Sequence, residues 1–166
     1  MKYLHCRNRK INIDKMLIMA ILNITPDSFY DGGKYYNNFD KIKKRIEEII
    51  NEKADIIDIG AESTRPGSKK ISANEEIDRI IPVVEWLKKN YDIPVSIDTY
   101  KSEVAEICLK AGCEIINDIS GLRFDDKMAQ IISKYNAGVV IMHIQGIPET
   151  MQLNPQYNNV INEIYD

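Results

Sequence analysis

Five short apolar runs alternate with five amphipathic segments, and this alternation constrains the fold more than any other feature of the sequence. The predicted strands are residues 16–22, 54–59, 94–98, 114–118 and 139–143. The predicted helices are residues 42–50, 72–87, 101–111, 125–135 and 157–164. Strict alternation of this kind requires a parallel sheet with right-handed crossovers. We expect the first strand to be buried on both faces, as in a parallel sheet covered by helices.

Residues near the helix ends support more specific expectations. Ser72 and Glu75 have the spacing of a capping box, which predicts the start of the second helix. Pro82 lies within that helix and is expected to kink or interrupt it. Gly112 is predicted to stop the third helix, because glycine adopts the left-handed conformation that commonly ends a helix.

Polar residues stand at the end of each predicted strand. They are Asn23, residues 60–62, Asp98, Asn117 and His143. An open doubly wound sheet typically carries a glycine-rich phosphate turn after its first strand, whereas polar residues at every strand end are typical of a barrel mouth. We therefore predict an α/β fold, a (β/α)8 TIM barrel. Because such barrels typically need ~250 residues, the 166 residues are expected to form about the first five β/α units, as a single incomplete domain over residues 1–166.

The charge, the lengths of the apolar runs and the cysteine content indicate which partners and which cellular environment to expect. A net charge of -3 with acids and bases interspersed gives no broad basic field, which argues against nucleic acid. The apolar runs are far shorter than the ~20 residues of a membrane span and the N-terminus lacks a secretory signal, so we expect a cytoplasmic protein with no membrane partner. The cysteines Cys6, Cys108 and Cys113 are odd in number and form no metal-ligand pattern, which predicts reduced, buried thiols.

The sequence changes abruptly from apolar to turn-forming at the end of the first strand. Residues 22–33 read L-N-I-T-P-D-S-F-Y-D-G-G, in which Thr25 precedes a proline and Gly32 and Gly33 tolerate positive φ angles. Because parallel sheets and barrels carry their chemistry at the carboxyl ends of the strands, we predict that this segment is the first catalytic loop. The residue types of this segment are also those of an ordinary surface loop, and composition alone favours that interpretation.

Three side chains at or near the strand ends could recognise a ligand. The carboxylate of Asp98 can accept two parallel hydrogen bonds from an amidine-like edge, such as that of a pterin or guanine, or it could cap the third helix. The amide of Asn117 can both donate to and accept from a heterocycle, but asparagine is also a common turn residue. Arg65 suits an anionic group or is a solvated surface charge. His143 and His5 are assigned no catalytic role, because a lone histidine at a strand end is more often structural.

Taken together, five segments resemble the dihydropteroate synthase family. In family order they read I-L-N-I-T-P-D-S-F-Y-D-G-G, D-I-G-A-E-S-T-R-P-G, S-I-D-T-Y-K, I-N-D-I-S-G and M-H-I-Q-G-I-P-E-T-M-Q, and the resemblance extends from about Met16 to Tyr157. Tyr30 and Ala61 stand where the family usually has smaller residues, and neither change removes a functional group. The family's later strands, with a second pterin-binding Asp, a Lys and an Arg-x-His phosphate site, have no counterpart in this sequence.

The resemblance implies a pterin-binding barrel of the folate pathway. It implies the condensation of 6-hydroxymethyl-7,8-dihydropterin pyrophosphate with 4-aminobenzoate, in which Mg²⁺ helps the pyrophosphate to leave. By the same resemblance Asn23 contacts the metal or the pyrophosphate, Asp27 faces the developing pterin cation, and Thr64 and Arg65 act in the second loop. A full-length protein is expected to be a homodimer.

The resemblance also assigns the substrate-binding residues. Asp98 and Asn117 hold the pterin edge, and Thr64 belongs to the substrate site as well as to catalysis. Phe29 and Pro66 border the aminobenzoate, where sulfonamides compete in the family.

Two other functions stay open on the sequence. Methyltetrahydrofolate-dependent methyltransferases resemble this barrel and also hold a pterin with Asp and Asn at strand ends, but T-P-D-S-F and E-S-T-R-P-G belong to loops that handle a pyrophosphate. The second is a non-catalytic pterin-binding fragment, since about a third of the barrel has no counterpart. For the same reason we expect the 166-residue chain alone to have little or no synthase activity.

Overall fold

Five parallel strands form the main sheet of the computed structural model. The model describes residues 1–24, 39–62, 70–148 and 150–165. The strands of this sheet are β3 (Met19–Asn23), β4 (Ile56–Gly60), β5 (Val95–Asp98), β6 (Ile115–Asp118) and β7 (Gly138–Ile141). Their order in space is their order along the chain, as around a barrel, whereas a doubly wound sheet reverses its strand order at a switch point. The prediction of the first five β/α units of a (β/α)8 barrel is confirmed.

A helix follows each of these strands along the chain. The helices are α1 (Phe39–Asn51), α2 (Ala73–Asn90), α3 (Ser102–Lys110), α4 (Met128–Tyr135) and α5 (Val160–Tyr165). The Ser72 hydroxyl accepts a hydrogen bond of 3.2 Å from the Glu75 backbone N–H, so the predicted cap of α2 is present. Gly112 follows α3 with a φ of 112°, also as predicted.

Of the two outcomes expected at Pro82, a kink or an interruption, the interruption does not occur. Helix α2 is continuous over 18 residues with Pro82 inside it. A proline removes one backbone hydrogen bond, but the apolar side of α2 is packed on both sides of Pro82 by the buried residues Ile80, Val83 and Leu87. Burial of that face holds the helix together across the missing bond.

The helices cover one face of the sheet. Alternate residues of each strand point to opposite faces, so every second side chain packs against the helices. Six helix-facing side chains belong to the main core, Leu22, Ile57, Ile59, Val95, Ile97 and Ile116. The prediction that the first strand is buried on both faces is wrong, since Ile21 is 65% exposed beside a buried Leu22. Within the described residues β3 pairs with β4 alone, and Ile21 points away from the helices. Cys6, Cys108 and Cys113 are buried free thiols, as predicted.

An antiparallel hairpin covers the amino end of the sheet. It consists of β1 (Tyr3–Cys6) and β2 (Arg9–Asn12), and its strands and its turn are too short to give a signal in the sequence. Cys6 packs with Ile56 and Ile115 in a second, smaller core. The Arg7 guanidinium donates to the backbone oxygens of Leu109, at 2.7 Å, and Cys113, at 2.9 Å. The hairpin therefore closes this end of the sheet.

In the part of the chain that the structure describes, no helix is long and apolar enough to cross a membrane.

Candidate functional site

Four residues from four neighbouring strands stand in one row at the carboxyl edge of the sheet. Asn23 is in register with Gly60, Gly60 with Asp98, and Asp98 with Asn117. In-register residues of parallel strands point to the same face, and here that face is the one opposite the helices. The structure therefore brings together the amide, carboxylate and second amide that the sequence placed at separate strand ends. We call these four residues the strand-end row.

Gly60 keeps the centre of the strand-end row open. A Cβ atom at this position would lie 3.3 Å from Asn23 Oδ1 and 3.4 Å from Asp98 Oδ2. These separations are tight, so a side chain would crowd the two polar groups that flank it. Glycine leaves both oxygens accessible to a ligand between them.

Asp98 does not cap the third helix. The residue that precedes α3 is Lys101, and the backbone N–H of Ser102 at the helix start donates to Asp125 Oδ2 at 2.8 Å. The capping interpretation of Asp98 is therefore wrong, and its carboxyl group belongs to the strand-end row.

The electrostatic surroundings of Asp98 favour its neutral form. Burial raises the pKa of Asp98 from 3.8 to about 7, and the negative charges of Asp58, Glu76, Asp118 and Glu62 act in the same direction. A carboxyl group with this pKa changes its charge near neutral pH. It can accept hydrogen bonds from a ligand when it is ionised and donate one when it is protonated.

Asp58 orients the amide of Asn117, and it was not among the site residues predicted from the sequence. Asn117 Nδ2 donates to Asp58 Oδ2 at 3.0 Å, so the amide has its oxygen to offer as an acceptor. Asp58 is only 4% exposed, and its Oδ1 has no hydrogen-bond partner among the described residues. The sequence signal that could have identified Asp58 is a charged residue inside the apolar run I-I-D-I-G, because a charge that is buried without a function is costly.

Five of the predicted site residues lie outside the described residues. They are Asp27 and Phe29, in residues 25–38, and Thr64, Arg65 and Pro66, in residues 63–69. The described residues that precede both segments lie next to the strand-end row in sequence. Ile24 follows Asn23, the last residue of β3, and Glu62 comes two residues after Gly60, the last residue of β4. Their roles stay predictions.

Asn23 is the described residue that was predicted to contact a metal. Its side chain is exposed at the edge of the sheet and presents Oδ1 toward Gly60. The described residues contain no group of three or more His, Cys, Asp or Glu side chains that could hold a metal ion. One amide oxygen fits a cation such as Mg²⁺, which keeps several waters and takes other ligands from substrate phosphates.

His143, which was assigned no catalytic role from the sequence, contacts Tyr157. Its Nε2 lies 3.1 Å from the hydroxyl of Tyr157, and the two rings are in contact at a centroid distance of 5.7 Å. This pair connects the residues just after β7 to the segment before α5.

Comparisons with known proteins agree with this geometry. Residues 19–166 match the model of a family described as pterin binding enzyme. The chain is 46% identical over 158 residues to the dihydropteroate synthase of Clostridium beijerinckii, an alignment that covers 95% of this chain and 56% of that protein. Across the curated relatives that it matches, the chain spans about half of their length.

Solved structures are similar over nearly the whole chain. The Yersinia pestis dihydropteroate synthase in a sulfonamide drug complex has a TM-score of 0.89 and 38% identity, covering 99% of this chain and 59% of that one. The Clostridium difficile dihydropteroate synthase in the presence of pteroic acid has a TM-score of 0.81 and 46% identity, covering 92% and 56%. At these identities the similarity extends beyond the fold to the sequence.

Proposed function

Because the chain belongs to the family of pterin-binding enzymes, we propose that it carries the pterin half of a dihydropteroate synthase site. The reaction condenses 6-hydroxymethyl-7,8-dihydropterin pyrophosphate with 4-aminobenzoate to give 7,8-dihydropteroate and pyrophosphate. Relatives with this name match the chain at 46% and 51% identity, which supports a synthase over a methyltransferase that uses a similar barrel. Residues 1–166 would form one incomplete barrel domain of this enzyme.

The strand-end row is the observation that carries the proposal. A pterin presents an edge with an amino group beside a ring N–H, and an ionised Asp98 can accept from both. Asn117, held by Asp58, offers its amide oxygen to a further ring N–H. Gly60 leaves room for the flat ring between Asn23 and Asp98. The row thus supplies shape and hydrogen-bond complementarity to one edge of a pterin.

Asn23 would bind Mg²⁺ together with the pyrophosphate of the substrate. The cation would supply positive charge that stabilises the leaving pyrophosphate. Asn23 lies on the same row as the pterin-binding groups, so a pyrophosphate near it would be joined to a pterin near Asp98. Removal of divalent cations is expected to weaken binding of the pyrophosphate ester and to leave binding of the pterin alcohol unchanged.

The two segments outside the described residues would complete the reaction. Asp27 would stabilise the cation that develops on the pterin methylene, and Arg65 and Thr64 would hold the departing anion. Phe29 and Pro66 would border 4-aminobenzoate and its sulfonamide competitors. The starting points of both segments beside the strand-end row support these roles.

Three finer expectations belong to the same proposal. The pterin pyrophosphate and 4-aminobenzoate would be the small-molecule partners, and the full-length enzyme would be a cytoplasmic homodimer. Sedimentation of a full-length protein would test the dimer.

The experiment is a pair of measurements on the purified 166-residue chain. Isothermal titration calorimetry with the pterin alcohol and with its pyrophosphate measures binding, and a coupled assay for pyrophosphate release with 4-aminobenzoate measures turnover. The dihydropteroate synthase of Bacillus subtilis serves as the positive control. Pterin binding is the expected result, and its absence at millimolar ligand would contradict the proposal.

Turnover separates the synthase from the second candidate, a pterin-binding fragment without catalysis. The edge strands favour this candidate, because Ile21 on β3 is 65% and Ile141 on β7 is 56% exposed, which leaves apolar surface uncovered. Binding with little or no turnover is the outcome expected for the 166-residue chain. Turnover equal to that of the control enzyme would rule out the fragment.

A further inference from the structure

A small cavity lies between the turn of the hairpin and the start of β6, at the amino end of the sheet. Its volume is about 190 Å³, and it is lined by Arg7, Asn8, Arg9, Gly112 and Glu114. Pockets for drug-sized organic ligands measure about 300–1,000 Å³, whereas a water molecule occupies about 30 Å³ in the liquid. The cavity therefore has the size of a small ion or of one polar group with a few waters.

The protein fixes Arg7 and leaves part of its guanidinium group unused. Nη1 carries two N–H donors, which bind the backbone oxygens of Leu109, at 2.7 Å, and Cys113, at 2.9 Å. The backbone N–H of Arg7 donates to the backbone oxygen of Asn136 at 2.6 Å. A guanidinium group has five N–H donors, and in the part of the chain that the structure describes Nε and Nη2 have no acceptor. A ligand would therefore meet donors whose position is already fixed.

Arg9 presents unused donors to the same cavity. Its Nε donates to Glu114 Oε1 at 3.0 Å, and its Nη2 pairs with the carboxylate of Asp92. Among the described residues its Nη1 has no acceptor. Two guanidinium groups, each held by contacts on other atoms, thus line one small cavity.

Cations outnumber carboxylates around the cavity. Lys88 also pairs with Glu114, at 2.6 Å between Nζ and Oε1. The cations are therefore three, Arg7, Arg9 and Lys88, and the carboxylates that they contact are two, Glu114 and Asp92. The Asp92 side chain is 89% exposed, so water and salt screen its charge. Excess positive charge beside unused N–H donors is the combination that binds an oxyanion.

We propose that this cavity binds a phosphate group, held between the guanidinium groups of Arg7 and Arg9. A guanidinium group matches two oxygens of a phosphate with two parallel N–H donors. Asn8 is exposed, so the cavity opens to solvent at the hairpin turn, and its side-chain amide supplies a further donor. Glu114 also lines the cavity, but its charge is paired by Arg9 and Lys88.

The phosphate site lies at the end of the sheet opposite the strand-end row. Its groups come from the hairpin, from α2 and from the residues between α3 and β6, and β6 is paired with β5 on one side and β7 on the other. Occupancy of this site therefore does not require a pterin, and it is tested independently of the proposed function.

The experiment is a nuclear magnetic resonance titration of the ¹⁵N-labelled 166-residue chain with inorganic phosphate. The backbone amides of Asn8 and Gly112 report on the cavity, and that of Asn117 reports on the strand-end row. We expect saturable shifts at Asn8 and Gly112 with a dissociation constant of about 1 mM or below, and none with chloride at the same ionic strength. Shifts that do not saturate by about 20 mM, or that chloride reproduces, would overturn the proposal.

Methyl phosphate distinguishes the two sources of a phosphate group. Affinity equal to that for inorganic phosphate would identify the phosphate monoester of a larger molecule as a ligand of the site. An affinity at least about tenfold lower would identify free phosphate. Saturable binding of inorganic phosphate supports the site in both cases.

Variants of the hairpin separate a built site from general attraction. In Arg7→Met the affinity for phosphate should fall at least about tenfold. Lys10→Met removes the same charge from an exposed residue of β2 that does not line the cavity, and its affinity should stay within about twofold. Equal losses in these two variants would show that only net charge matters and would overturn the proposal.

A second variant keeps the test decisive if Arg7→Met does not fold. Arg9→Lys keeps a cation beside Glu114 but removes the planar group and its Nη1 donors, so affinity should fall at least about threefold. An unchanged affinity in folded Arg9→Lys would contradict the assignment of the phosphate to the two guanidinium groups.

Discussion

The two ends of the sheet both bury ion pairs, yet they differ in the balance of charge. At the amino end, Arg9 and Lys88 both pair with the buried carboxylate of Glu114, whose side chain is 7% exposed, and Arg9 also pairs with the exposed Asp92. At the carboxyl end, Lys101 contacts two carboxylates, and Asp58 and Asp98 lie nearby on the inner face. Two cations share one buried carboxylate at the amino end, whereas at the carboxyl end burial and neighbouring carboxylates raise the pKa of Asp98. Buried ion pairs thus stabilise the amino end of the sheet, whereas at the carboxyl end they lie beside the proposed ligand site.

The largest expected effect is the loss of pterin affinity in Asp98→Asn. The amide replaces a charged acceptor of two hydrogen bonds, and each bond to a charged group contributes ~1.5–3 kcal/mol, so affinity for a pterin should fall about 100-fold at pH ~8. Calorimetry measures the change, and a denaturation curve of the same variant at pH ~4, where Asp98 is neutral in the folded state, should show little change in stability. An unchanged affinity would remove Asp98 from the ligand site.

The matching change at the amino end should affect stability and not binding. Glu114 accepts from the Val95 backbone N–H at 2.9 Å, from Arg9 Nε at 3.0 Å and from Lys88 Nζ at 2.6 Å. Glu114→Gln removes the charge that pairs both cations, so the free energy of unfolding should fall by ~2–3 kcal/mol. Urea denaturation measures this loss. A drop in pterin affinity of the folded variant would show that the two ends are not independent.

The pH dependence of pterin binding should follow the ionisation of Asp98. Its pKa of about 7 means that the acceptor form increases as the pH rises, so affinity should increase about tenfold between pH ~6 and ~8 and stay flat in Asp98→Asn. The free energy of unfolding should instead decrease as the pH rises. A carboxyl group with a raised pKa favours the folded state at low pH, and that contribution is lost as the pH rises from ~4 to ~7. Calorimetry and urea denaturation across this range check both directions.

The smallest expected effect is that of Asp58→Asn. Its amide oxygen can still accept from Asn117 Nδ2, so affinity at pH ~8 should fall only about threefold. The negative charge of Asp58 contributes to the raised pKa of Asp98, so its removal should move the midpoint of the pH profile to a lower pH. A midpoint that stays in place would show that the charge of Asp58 does not contribute to the pKa of Asp98.

Much of the architecture could be predicted because it depends on local patterns. Apolar runs such as I-I-D-I-G and V-S-I-D alternate with helical stripes, and strict alternation allows few topologies. In-register parallel strands also bring their carboxyl ends to one edge, so the sequence alone could place Asp98 and Asn117 at the same edge of the sheet. The sequence did not decide between the outcomes at Pro82, where tertiary packing determines whether the helix continues, and it wrongly indicated that the first strand is buried on both faces. It also carried no signal for the very short strands β1 and β2.

The sequence by itself determined the α/β alternation, the family and the polar strand ends, since these are properties of residue order and side-chain type. Only the tertiary structure decided that Asp98 faces the inner side of the sheet and does not cap α3, and that Asp58 holds Asn117. It also decided that Lys101 reaches Glu62 and Glu76, 39 and 25 residues away along the chain. The physical reason is that hydrogen bonds and charge interactions depend on distances of a few ångströms between residues far apart in sequence, and folding alone sets those distances.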